Sequence, residues 1–155
     1  MKIKYFLFIG VLGMLFVSCS TEEPIEVYMV DSWETTYIKI EMPTYQKSDS
    51  VFIFEDAFKN NPQRRAQSTY NKDGTFSAWF INQKGEKKDE SKGNWSVKND
   101  SLTVEFYYTG RDVKVSYYIE KTVEGFRGTC LYDWDKDGEF DDMLLMKTKR
   151  IKPNQ

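Results

Sequence analysis

The sequence predicts an all-β domain, an up-and-down antiparallel barrel of about eight strands, with a two-sheet sandwich as the alternative. Three observations predict it. Apolar side chains recur with a period of two rather than 3.6 over most of the chain beyond residue 30. Turn signals rich in Gly, Asn and Asp separate the alternating runs at short intervals. No long helical pattern lies between any pair of runs. The alternation fits both architectures, and closure ranks first because it removes exposed sheet edges.

The first strand runs from about Trp33 to Met42, with Ile38, Ile40 and Met42 on one face and Tyr37, Lys39 and Glu41 on the other. Pro43 and the polar stretch Lys47-Ser48-Asp49-Ser50 end it. Val51 to Phe58 reads equally as a short strand or a helical turn, since an apolar run alone does not decide, and Asn60-Asn61-Pro62 stops either one. Arg65 to Tyr70 and Thr75 to Ile81 form a hairpin across Asn71-Lys72-Asp73-Gly74, where Asp-Gly supplies the positive φ of the turn. Gln83 to Lys92 is a charged connection into Gly93-Asn94-Trp95-Ser96-Val97. Lys98-Asn99-Asp100 then turns the chain into Ser101 to Tyr108, where Leu102, Val104, Phe106 and Tyr108 share one face. After Thr109-Gly110-Arg111, Val113, Val115, Tyr117 and Ile119 repeat the pattern. Phe126 to Tyr132 and about Met143 to Ile151 complete the set.

Residues 1–18 stand apart from the fold. Lys2 and Lys4 precede an apolar run from Tyr5 to Val17, the n-region and h-region of a secretory signal, too short for a comfortable membrane span. Phe16-Val17-Ser18-Cys19 then resembles the lipobox at which a bacterial lipoprotein is cleaved and diacylated on the new N-terminal cysteine. The expected organisation is a signal peptide over 1–18, a lipid-anchored tether over 19–29 and a barrel domain over 30–155. Diacylglycerol and palmitate on Cys19 would make the membrane a partner. The acidic stretch Ser20 to Glu26 reads as a solvated linker or as a surface-export signal, so the expected location is the bacterial outer membrane, on either face.

Composition excludes several chemistries. The chain has no histidine, so Ser-His-Asp and Cys-His pairs and His-ligated metals are ruled out. With residues 1–18 removed, 20 basic side chains face 24 acidic ones, which gives no electrostatic case for nucleic acid. If Cys19 carries lipid, Cys130 has no partner for a disulfide, and in a strand-like segment it reads as a small core residue rather than a nucleophile.

Trp33 on the first strand, Tyr70-Asn71-Lys72-Asp73-Gly74-Thr75-Phe76, and Gly93-Asn94-Trp95-Ser96-Val97-Lys98-Asn99-Asp100-Ser101-Leu102 together resemble the lipocalin-like lipoproteins of Bacteroidetes. There a tryptophan opens the barrel, a D-G-T/S-F hairpin follows, and a G-x-W/Y-x-V/I…D-x-L block lies in mid-chain. The resemblance spans roughly Val30 to Ile151. It implies a lipocalin-like barrel that binds a small apolar ligand or an envelope partner and is not an enzyme.

One segment carries candidate metal chemistry. Asp133-Trp134-Asp135-Lys136-Asp137-Gly138-Glu139-Phe140-Asp141-Asp142 has the D-x-D-x-D-G form of oxygen-ligated calcium loops, with Asp133, Asp135, Asp137 and Asp141 as candidate ligands. Six acids in ten residues repel one another unless a cation neutralises them. A metal-free acidic turn uses the same residues, and Leu144 stands where an EF-hand has its bidentate Glu. The functional expectations are therefore a lipid-anchored binding module first and a calcium-stabilised accessory or adhesion protein second. A carboxylate-only hydrolase is third, and no pair of acids stands out for it. Trp79, Phe80, Tyr107 and Tyr118 are candidates for an aromatic platform on an open face, against the alternative of core.

Overall fold

A computed structural model describes residues 23–59 and 64–151. The signal segment, Cys19 and the Asn60-Asn61-Pro62 stop lie outside the described residues. Nine strands form one antiparallel sheet: β1 (Asp31–Met42), β2 (Phe52–Asp56), β3 (Arg65–Tyr70), β4 (Thr75–Ile81), β5 (Lys87–Lys98), β6 (Ser101–Tyr108), β7 (Arg111–Lys121), β8 (Phe126–Tyr132) and β9 (Asp142–Arg150). β1 also pairs with β9, so eight strands close into a barrel and β2 remains as an extra strand. The barrel, not the sandwich, is the architecture.

β1 makes closure feasible because it serves three partners. Residues 31–34 pair with β3 and 38–42 with β2 along one edge, while 33–41 pair with β9 along the other. A register shift between Thr35 and Tyr37 marks the exchange of β3 for β2. The extra residue also changes the parity of the strand: Trp33 faces the interior before it, and Ile38, Ile40 and Met42 face the same side after it. The Val51 to Phe58 ambiguity resolves as the strand β2.

Two expectations change. Lys87 to Lys92, read as connection, belongs to β5, and Lys87 and Lys88 pair with Ile81 and Phe80. Its first four residues are all exposed, so no apolar alternation announces the strand, and ladder hydrogen bonds to β4 hold it instead. The second change concerns the tether. Ile25–Met29 forms a short helix, α1, whose Ile25 and Met29 are buried in the core. Pro24, with φ of −56°, is preset for the helical start, and its carbonyl accepts the N–H of Val27 and Tyr28.

Two ends follow from this topology. At one, α1 plugs the barrel beneath the 71–74, 99–100 and 122–125 turns. The Trp33 indole there donates to the Met29 carbonyl at 3.0 Å and packs edge-on against Phe126 at 5.0 Å, both side chains being fully buried. At the other end, the rim, lie the 43–51 connection, the 82–86 and 109–110 turns and the 133–141 loop. Between them Gly93 lets β5 cross close to β6, since a Cβ would overlap the Glu105 carbonyl. No helix among the described residues is long and apolar enough to cross a membrane.

Candidate functional site

The rim half of the barrel is hollow. A cavity of about 220 Å³ is lined by apolar surface from Phe76, Ala78, Phe106, Tyr117, Trp134 and Met146, among others. The wall residues on β4, β6 and β7 follow from strand alternation: Phe106 and Tyr117 are inward members of β6 and β7, and Ala78 leaves room between Phe76 and Phe80 on β4. Burial pushes the Tyr70 and Tyr117 hydroxyls above their ordinary range, Tyr117 further because Cys130, Tyr70 and Tyr132 also stand near it. Burial likewise pushes the Cys130 thiol up to about 12, so at neutral pH it stays protonated. These three groups are therefore neutral at neutral pH. Asp89 is the one carboxylate among the residues lining the cavity, so the pair that glycoside hydrolysis needs is not assembled there.

The aromatic platform is not formed. Trp79 is buried under the Lys87 ammonium, and both it and Phe80 line the cavity. Tyr107 and Tyr118 are exposed, but they lie at opposite ends of the β6–β7 hairpin. A larger hollow of about 550 Å³ lies at the plugged end between α1 and the 71–74 turn, lined by Val27, Val30 and Trp95 together with Glu26, Lys72 and Ser96.

Above the cavity sits the acidic loop. Carboxylate oxygens of Asp133, Asp135 and Asp142 lie within 4.8 Å of one another. Asp142 replaces the expected Asp141: as the first residue of β9 it pairs with Tyr132 and faces inward, 2% exposed, whereas Asp141 reaches out to the Thr44 hydroxyl at 3.4 Å. Neighbouring residues of a strand point to opposite faces, so the register at the β8–β9 pair makes this choice, and no sequence signal ranks one above the other. Asp142 Oδ2 accepts the N–H of Trp134 at 2.6 Å and of Asp135 at 3.2 Å. Burial raises its pKa, the two amide hydrogen bonds oppose the rise, and the charges of Asp135 and Asp141 add to it.

Asp137 is placed beside this group rather than in it. Its amide donates to Asp133 Oδ1 at 3.0 Å and Asp135 Oδ1 at 3.1 Å, and its own Oδ1 accepts the Glu139 N–H at 2.7 Å. The loop is tied to its neighbours as well. The Gln46 amide donates to Asp135 Oδ2 at 2.6 Å, and Arg111 donates to the Asp133 carbonyl at 2.7 Å. Trp134, between two of the clustered acids, forms part of the cavity wall below.

Comparison with protein-family models, with curated proteins and with solved structures returns no match to this chain.

Proposed function

We propose that the protein is a non-enzymatic, lipid-anchored envelope module whose lipocalin-like barrel carries a small apolar ligand. The observation that supports this best is the cavity: about 220 Å³ of mostly aromatic and aliphatic wall in the rim half of a barrel whose other end is plugged by α1. A filled interior would have argued for a purely structural barrel. The size favours a ligand of few heavy atoms, below the range typical of drug-sized sites. Lys2, Lys4, the apolar run to Val17 and Ser18-Cys19 support the anchor and the envelope location.

Native mass spectrometry of the full chain extracted from membranes tests carriage, with an apolar fluorophore such as 1-anilinonaphthalene-8-sulfonate as the titrating probe. We expect a co-purifying small mass, and single-site fluorescence enhancement that Ala78→Trp abolishes by filling the cavity while far-UV circular dichroism is unchanged. Enhancement indifferent to Ala78→Trp, or no binding at all, overturns the reading. For the anchor, Cys19→Ala moves the protein from the membrane to the soluble fraction; retention in the membrane would refute lipidation at this position.

A further inference from the structure

The chain enters the barrel at the end opposite its cavity. Glu23 is the first described residue, and its carbonyl accepts a hydrogen bond from Lys121 Nζ at the last residue of β7. Pro24 starts α1, and Ile25 and Met29 fix that helix in the core beside Trp33. β7 spans its eleven residues from Arg111, which donates to the Asp133 carbonyl of the rim loop, to Lys121 at the plugged end. At about 3.3 Å per residue and the tilt of about 40° usual for barrel strands, that length puts the rim roughly 25 Å beyond the plugged end. Cys19 stands four residues before Glu23, so it reaches at most about 14 Å from it.

These two lengths decide an orientation. With lipid on Cys19, Glu23 lies within about 14 Å of the membrane surface. Turning the rim onto that bilayer would lift Glu23 about 25 Å from it, beyond the reach of the tether. The cavity meets the surface at the rim, since Asp89 near the start of β5 and Tyr108 at the end of β6 both line it and are exposed. α1, Trp33 and Phe126 close the other way. Size points in the same direction. An apolar cavity of about 150 Å³ in another protein holds one benzene. About 220 Å³ therefore encloses one or two rings and not the paired acyl chains of a phospholipid.

We infer that the anchored barrel stands on its plugged end with the cavity mouth turned from its own membrane. It takes a small, water-borne apolar molecule from the aqueous side rather than a lipid from the bilayer that holds it. The orientation rests on the lipid anchor at Cys19, and the ligand class on the carriage proposed above.

The test uses the full-length lipidated chain in phosphatidylcholine vesicles, with a fluorophore on Val123→Cys in the plugged-end turn or on Phe140→Cys in the rim loop, both exposed positions. Asp49→Cys in the 43–51 connection is a second rim position, and Cys130 is buried away from the label. We expect a headgroup nitroxide lipid to quench the Val123→Cys probe at least about fivefold more than either rim probe. Equal quenching, or stronger quenching at the rim, overturns the orientation, whereas a chain that fails to float with the vesicles overturns the anchor itself. For the ligand class, indole is titrated by calorimetry with Ala78→Trp protein as the blank. We expect one site, and palmitate or dihexanoylphosphatidylcholine in about tenfold excess leaves indole binding unchanged. Displacement of indole by either lipid overturns the ligand class and leaves carriage standing; no heat with indole or with either lipid overturns both.

Discussion

The two ends of the barrel are built from similar residues and solve opposite problems. At the plugged end the aromatics have their polar handles satisfied: Trp33 Nε1 on the Met29 carbonyl, Trp95 Nε1 on the Asn71 carbonyl at 2.9 Å, and the Tyr28 hydroxyl on the Gly125 carbonyl. At the rim, Trp134 Nε1 and Asp137 Oδ2 are buried and unpartnered, a cavity replaces packed side chains, and Phe52, Ile53 and Phe54 of β2 are exposed. The polar handles of Trp33, Trp95 and Tyr28 at the plugged end are satisfied, and those of Trp134 and Asp137 at the rim are not. Unsatisfied buried groups and low packing gather where a protein meets its ligands, because a site complete by itself has nothing left to offer them.

Aromatic truncation gives the largest predicted contrast. Trp33→Ala should cost about 3–5 kcal/mol in urea unfolding, because a fully buried indole is lost from the plug. Phe54→Ala at the rim should cost less than about 0.5 kcal/mol. Comparable losses would break the comparison.

Hydroxyls make the second pair. Thr148, 5% exposed, accepts the Phe126 N–H and donates to the Phe126 carbonyl, both at 3.1 Å. Thr148→Val should destabilise by roughly 1–3 kcal/mol. Thr44→Val, which removes a rim hydroxyl from Glu139 and Asp141, should stay within about 0.5 kcal/mol.

A pH experiment is third. Glu34, one residue from Trp33, is partly buried, which favours its neutral form, yet the Gln67 amide, the Lys149 ammonium and Arg65 outweigh this and hold its pKa below the usual carboxylate range. A depressed folded pKa contributes stability that is present above the unfolded value of 4.5 and is lost as pH falls through the folded one. Glu34→Gln should therefore lower stability at pH 7 and flatten the fall below pH 4.5; an acid limb as steep as wild type would show that other carboxylates carry it.

The smallest effect is a reactivity. Cys130, with its thiol near 12, should remain unmodified by a disulfide reagent at about pH 8 in the folded chain and react at once in denaturant. Fast modification of folded protein would mean that reagent reaches the buried Cys130 without unfolding.

Much of the wall was legible in the chain. Leu102, Val104, Val113, Val115, Tyr117 and Ile119 alternate in sequence and are buried in the structure, because a half-buried strand writes its faces into every second residue. Asp73-Gly74 likewise names its hairpin, with Gly74 at φ of +82°. Lys87 to Lys92 was not legible, since an exposed stretch carries no face to read. Nor was α1, where five residues give too short a period to separate a plug from a linker. The cavity was illegible for another reason: Ala78, Phe106 and Trp134 meet only after the sheet has closed.

By itself the sequence determined the strand alternation, the turn positions and the run of acids at 133–142, all short-range properties of neighbours along the chain. Tertiary structure decided closure, which rests on β1 meeting β9 with Ile38 opposite Met146, and decided which acids converge. Asp142 rather than Asp141 joins Asp133 and Asp135 because the Tyr132–Asp142 pair sets the register of β9. A one-residue slip would turn it to solvent, and that register is fixed by pairing across the sheet, not by the loop's own residues.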